Sequence, residues 1–164
     1  MRKTLFLICP TDIMESIIQA HFQSDNYFYT SLGNSLDLNN EITVRLIKQQ
    51  ILDKDITQII FVLKEDNPIL KDVMCSYKYR QISCLQHLYH EAIYNKSMMS
   101  HGGILSDAHK SYLSRFLINK VCTLKNKLNG QFSNVKVNAF IYKNKYPYFF
   151  TNEPNFSLCY FSMN

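Results

Sequence analysis

Cys9 closes the apolar run Thr4-Leu-Phe-Leu-Ile-Cys9 and is followed by Pro10 and, three residues on, by Asp12. A cysteine between a strand end and a helix start feels the helix's partial positive charge. That charge favours the thiolate, the form that acts as nucleophile or metal ligand. Asp12 could accept a proton, orient a donor or bind a metal, and Glu65 with Asp66 adds carboxylates after a second apolar run. Cys9 and Asp12 are therefore the candidate catalytic pair. The same residues also have a plain structural reading. Cys9 is then a small buried group, Asp12 an N-cap joined to Glu15 in a D-x-x-E capping box, and Glu65 and Asp66 loop acids.

A second group, Cys84, His87, His90 and Glu91, has the i,i+3 and i,i+4 spacing that brings ligands to one helix face. In a helix over residues 81–94, however, Ile82, Leu85, Tyr89, Ala92 and Ile93 gather on one side. His87 falls almost opposite them, so these histidines are expected in solvent rather than around a metal. His101 and His109 flank Gly102-Gly103, as proton carriers or as ordinary loop residues. The chain has no GxGxxG, GxxxxGK[ST], GxSxG or HExxH, so the regular dinucleotide, nucleotide and hydrolase sites find no support.

These residues need elements to position them. Thr4 to Cys9 reads as a strand buried on both faces, followed at once by a helix with Ile13, Ile17, Ala20 and Phe22 on its apolar side. Asn26 to Ser31 is a second strand ending in the turn Leu32-Gly33-Asn34. Asn40 caps a helix carrying Ile42, Leu46, Ile47 and Ile51, and Thr57 to Leu63 is a third strand. This alternation predicts a parallel sheet with its ligand crevice at the carboxyl ends of the strands. Cys9 to Asp12, Ser31 to Asn34 and Lys64 to Asn67 would be delivered there. A long helix follows from about Asp107 to Leu128. Val135 to Tyr142, a turn at Lys143-Asn144-Lys145 and Tyr146 to Thr151 then form a C-terminal edge hairpin.

The bulk properties agree with one α/β domain over residues 1–164. With 46% hydrophobic residues, 4 Gly and 4 Pro, a disordered or repetitive chain is excluded. Five cysteines at irregular spacings with no CxxC pair suggest neither a disulfide framework nor a zinc ribbon, and fit a reducing cytoplasm. The run Leu5 to Cys9 is short for a signal segment of ~7–15 apolar residues, and no stretch approaches the ~18 that span a membrane. Charge is uneven. Residues 1–82 carry 9 basic and 10 acidic groups and residues 83–164 carry 9 and 3, so the halves are −1 and +6. With the interleaved tyrosines and lysines of Tyr142 to Tyr148, the basic half gives a nucleic-acid-binding alternative. Dispersed lysines on a solvated face explain it as well, and nucleic acid is not the expected partner.

In order, these segments resemble a β-class carbonic anhydrase. Cys9-Pro-Thr-Asp12 is similar to the family's C-x-D-x-R motif, Ser31-Leu-Gly-Asn34 to its N-A-G-N-like loop, and Lys64-Glu-Asp-Asn-Pro68 lies where its G-H-x-x-C-G motif follows the third strand. The long helix from Asp107 and the final hairpin resemble its C-terminal part. The resemblance implies a mostly parallel central sheet flanked by helices and a homodimer. It also implies a zinc held by two Cys and one His, whose bound hydroxide attacks CO₂ under the control of an Asp-Arg dyad. Here only Cys9 matches a ligand directly, Asp12 is displaced by one position, Met14 stands where the Arg would be, and residues 64–68 offer neither His nor Cys.

The reading drawn from this is a β-carbonic-anhydrase-like protein without the zinc site and hydratase activity. It would bind a small anion or polar ligand in a pocket of Cys9, Asp12, Gly33, Asn34 and Glu65, with no cofactor. The alternatives are a divergent zinc-dependent carbonate dehydratase with Cys9 among its ligands, and a metal-free Cys9 thiol enzyme.

Overall fold

The computed structural model describes residues 2–22, 25–98, 105–143, 146–150 and 159–160, excepting the side chains of 94–98, 105–108, 146–150 and 159–160. His101, Gly102, Gly103 and most of the tail from Asn152 lie outside the described residues. The strands are β1 (Lys3–Ile8), β2 (Asp25–Thr30), β3 (Gln58–Lys64), β4 (Lys136–Lys143), β5 (Tyr146–Phe150) and β6 (Cys159–Tyr160). The helices are α1 (Glu15–His21), α2 (Glu41–Lys54), α3 (Pro68–Cys75), α4 (Gln86–Met98) and α5 (Leu105–Leu128).

One sheet runs in the order β2-β1-β3-β4-β5-β6. The first four strands are parallel, with Leu5 opposite Tyr27 and Ile59, and Ile59 opposite Val137. β4 and β5 form the expected antiparallel hairpin at one end, and β6 adds a two-residue outermost strand beyond it.

The continuous apolar runs follow from burial on both faces. On one face Leu5, Leu7, Cys9, Ile59, Phe61, Leu63, Val137, Ala139 and Ile141 pack under α2, α3, α4 and α5. On the other, Phe6, Ile8, Ile60, Val62 and Phe140 meet Met14 and Ile18 at α1. The faces are unequally covered, and the site lies toward the four-helix side.

Three sequence expectations change. The capping box does not form: Asp12 ends a 3-10 turn, Pro10–Asp12, Ile13 follows in a left-handed conformation, and α1 starts at Glu15 without a side-chain cap. Helix α4 and the 3-10 turn Ser83–Leu85 before it bury Leu85, Leu88, Tyr89 and Ala92, leaving Ile82 and Ile93 exposed, so the apolar side is turned from the one expected. His87 is consequently half-buried rather than solvated. α3 is an additional helix, and Asn67-Pro68 starts it: Asn67 Oδ1 accepts from Leu70 N at 2.9 Å and Pro68 takes the first helical position.

Asp72, in the second half of α3, fastens the next segment. Its buried carboxylate accepts from Lys78 N at 3.0 Å, from Tyr79 N at 3.1 Å and from the Tyr89 hydroxyl of α4. Burial alone would raise its pKa, but these three donors outweigh burial and hold it below the usual carboxylate value. Asp72→Ala leaves the donors without their acceptor and is expected to lower stability by about 2–4 kcal/mol in urea denaturation at neutral pH. Because the folded value is depressed, that contribution is fully present above the unfolded value of about 3.9 and is lost as pH falls through the folded one. The variant and the wild type should therefore converge in acid.

Candidate functional site

β1 delivers Cys9 in extended conformation, with the side chain on the four-helix face and no exposure to solvent. Its Sγ accepts from Gly33 N at 3.1 Å and lies 3.0 Å from Thr11 Oγ1. The Gly33 N–H is the donor in the first contact, and in the second either atom could donate.

The Gly33 contact depends on the turn after β2. Leu32–Asn34 is a 3-10 turn in which Gly33 has φ +59° and Asn34 φ +54°. A Cβ on Gly33 would stand 2.9 Å from Ile69 Cγ2 of α3 and 3.1 Å from Leu88 Cδ2 of α4, so only glycine lets the backbone approach the thiol. Asn34 is fully buried and its Nδ2 donates to Leu7 O at 2.9 Å and to Val62 O at 3.0 Å, joining the ends of β1 and β3. Its Oδ1 and the nearby Ser31 Oγ are buried without a partner.

Asp12 reaches across to β3. One carboxylate oxygen accepts from Lys64 N at 2.8 Å and the other from Asn67 Nδ2 at 2.7 Å. Burial pushes its pKa up, opposed by these two hydrogen bonds and by the Lys64 charge. The reversal that places Asp12 there sets Ile13 at φ +51° with 74% of its surface exposed. That conformation is costly for a β-branched residue, by roughly 1–2 kcal/mol, and strain of this kind gathers at functional sites.

Of the five pocket residues expected from the sequence, Cys9 and Gly33 are in direct contact. Asn34 and Asp12 tie the same strand ends, β1 and β3, from the two sides of the turn. Glu65 is in the segment after β3, but its carboxylate turns to Lys143 at 3.5 Å and Lys110 at 4.0 Å. Asn67 is the partner of Asp12 instead. Its double duty as cap and carboxylate partner was hidden because its sequence signal belongs only to the cap. His109 is within α5 rather than a loop, and its Nε2 lies 2.8 Å from Glu65 O. Cys84 and His90 are exposed, and among the described residues no group of three or more His, Cys, Asp or Glu is placed to hold a metal ion.

No family model matches the chain, and no curated protein matches its sequence. Solved structures do match. A mutant form of the β-carbonic anhydrase CafD of Aspergillus fumigatus superposes with a TM-score of 0.65 at 13% identity, over 92% of this chain and 90% of that one. The β-carbonic anhydrase CcaA gives 0.63 at 12% identity, over 86% and 74%. CafA of Aspergillus fumigatus gives 0.59 at 10% identity, over 86% and 70%. The chain has the β-carbonic anhydrase fold.

Gly33→Ala is expected to cost about 1–3 kcal/mol from the positive φ and the Ile69 contact together, measured as a lowered urea midpoint. Asp12 gives a pH signature of the opposite sign to that of Asp72. Its folded pKa is raised, so the fold binds the extra proton, and stability falls as pH rises from the unfolded value of about 3.9 through the folded one. Asp12→Asn should lack that fall, so its stability relative to wild type should climb over the same interval.

Proposed function

We propose that this β-carbonic-anhydrase-like chain has lost the zinc site and hydratase activity and is a binding or regulatory protein for a small polar ligand or anion. The pocket is centred on Cys9, Asp12, Gly33 and Asn34. The observation that carries this reading is the fate of the ligand positions after β3. Where the fold's resemblance calls for His and Cys, the chain has Glu65, whose carboxylate is drawn to two lysines, and Pro68, which starts α3.

The remaining thiol, Cys9, spends its sulfur on Gly33 N–H and Thr11. One soft ligand with scattered carboxylates does not fit zinc, which favours a tetrahedral set of Cys and His. The residues present therefore do not suit that metal, and no hydration step is derived through it.

The free polar atoms narrow the ligand. The Gly33 and Lys64 amides that an anion would seek are already given to Cys9 and Asp12. What stands unpartnered is an amide oxygen, Asn34 Oδ1, and a hydroxyl, Ser31 Oγ. This pairing favours a ligand that brings its own N–H or O–H over a bare anion. A cytoplasmic setting is supported by Cys9, Cys75, Cys84 and Cys122 being free thiols. Among the described residues no helix is long and apolar enough to cross a membrane. The homodimer is carried by the resemblance alone.

The test is elemental analysis of untagged protein prepared without chelator, with CO₂ hydration assayed on the same sample. No stoichiometric metal and no hydration above background are expected. About one zinc per chain, with hydration abolished by Cys9→Ala, would refute the reading.

A further inference from the structure

The turn that covers Cys9 is gripped from three helices. Gly33 lies under Ile69 of α3 and Leu88 of α4. Ser35 Oγ donates to Cys84 O, just before α4, at 3.4 Å, and Lys120 of α5 donates from Nζ to Leu36 O at 2.8 Å. Lys120 is only 8% exposed and, among the described residues, has no salt bridge; its ammonium also sits 5.2 Å from the Phe116 ring centre. A buried ammonium held by a carbonyl and a ring is far from its preferred surroundings. Its neighbours are equally unsettled, since His87 Nε2 and Tyr112 Oη are buried with no partner.

We propose that His87 and Lys120 are positioning residues that form an acid-sensitive latch on residues 31–37, so that protonating His87 releases the turn and opens Cys9. The proposal rests on the reading of Cys9 as the centre of the ligand pocket for its consequence, not for its mechanism.

His87 sits next to Leu88, the α4 residue packed on Gly33. The charged and titratable groups bearing on it are Lys120 of α5, Asp37 after the turn and Glu91 of its own helix, while Tyr112 of α5 is coupled to Glu91. Burial holds the His87 pKa below its usual value, and Lys120 adds to that depression; Asp37, Glu91 and a hydrogen bond with the Ser35 backbone oppose it. Burial likewise lowers Lys120, with Glu91 and Asp37 opposing. A proton on His87 would place a second cation near Lys120 in a partly buried layer. The relief is for the ring to move to solvent, which breaks its hydrogen bond with the Ser35 backbone and so one tie between α4 and the turn.

The sign follows. A base whose folded pKa is depressed favours the closed form when neutral, so closure is complete above the unfolded value of about 6.5 and weakens below it. Tyr112 is raised from an ordinary value already above that range, and His87 is the member of the latch whose ordinary value lies within it.

The experiment is iodoacetamide labelling across pH 5 to 8, with peptide mass spectrometry giving the ratio of Cys9 to the exposed Cys122. The ratio cancels the common loss of thiolate in acid. It should rise below the midpoint by up to about tenfold per pH unit, the limit for one linked proton, and stay flat in His87→Gln. The midpoint should coincide with the ring titration of His87 seen by NMR on the wild type, a comparison that stands even if the variant does not fold. A flat wild-type ratio, a rise that persists in His87→Gln, or midpoints about half a pH unit or more apart would overturn the latch. The readout uses no ligand, so a failed ligand screen leaves it intact, and its failure leaves the pocket intact.

Discussion

The architecture of the crevice hangs on one side chain. Asn34 is buried completely, and both protons of its amide go to main-chain oxygens, one at the end of β1 and one near the end of β3. A parallel pair at its carboxyl end offers carbonyls that no further ladder bond will take, and buried carbonyls without partners are expensive. Asn34 serves two of them at once. To do so it adopts φ +54°, a conformation that asparagine tolerates better than most residues, and Gly33 before it turns the same way. The Gly33 amide then falls on Cys9, and the turn is set against α3 and α4. If Asn34 did not bridge the strands, Gly33 would have no reason to meet the thiol.

Much of this was legible in the sequence because it depends on short-range pattern. The apolar runs gave β1 and β3, Asn40 gave the start of α2, and Leu32-Gly33-Asn34 announced a turn at the crevice. What escaped depended on tertiary choices. The D-x-x-E spacing at Asp12 and Glu15 satisfies a capping box, yet two donors from the β3 end compete for the same carboxylate and win. Helix α4 has apolar residues on more than one side, so periodicity alone could not choose the face that packs. The sheet chose Leu85, Leu88, Tyr89 and Ala92, and thereby drew His87 inward. The direction of the Glu65 carboxylate could not be read locally, because its lysine partners lie 45 and 78 residues further on.

The groups that shape the crevice and the groups with reactive side chains can be told apart here. The groups that shape the crevice are backbone amides and the amide side chains of Asn34 and Asn67, which hold geometry without carrying charge. The groups that would supply reactivity are fewer, and each is engaged: the Cys9 sulfur by Gly33 and Thr11, the Asp12 carboxylate by Lys64 and Asn67, and Glu65 by two lysines. The scaffold's own amides, Gly33 N and Lys64 N, supply part of that engagement, so Cys9 and Asp12 also help to hold the crevice together.

The strand order has a consequence for how such a chain reaches its fold. Leu5 pairs with Tyr27 and with Ile59, and Ile59 pairs with Val137, which are separations of 22, 54 and 78 residues. By contrast the β4 and β5 hairpin, where Lys143 meets Tyr146, closes locally. Long loops must therefore be closed before the parallel ladder repays their entropy, so the contact order is high and folding is slow for a chain of this size. During synthesis β1 emerges first, yet its second neighbour appears more than fifty residues later and the partner of β3 later still. A strand that is almost wholly buried in the finished fold spends that interval with one edge open, and in that time it needs protection from pairing with other chains.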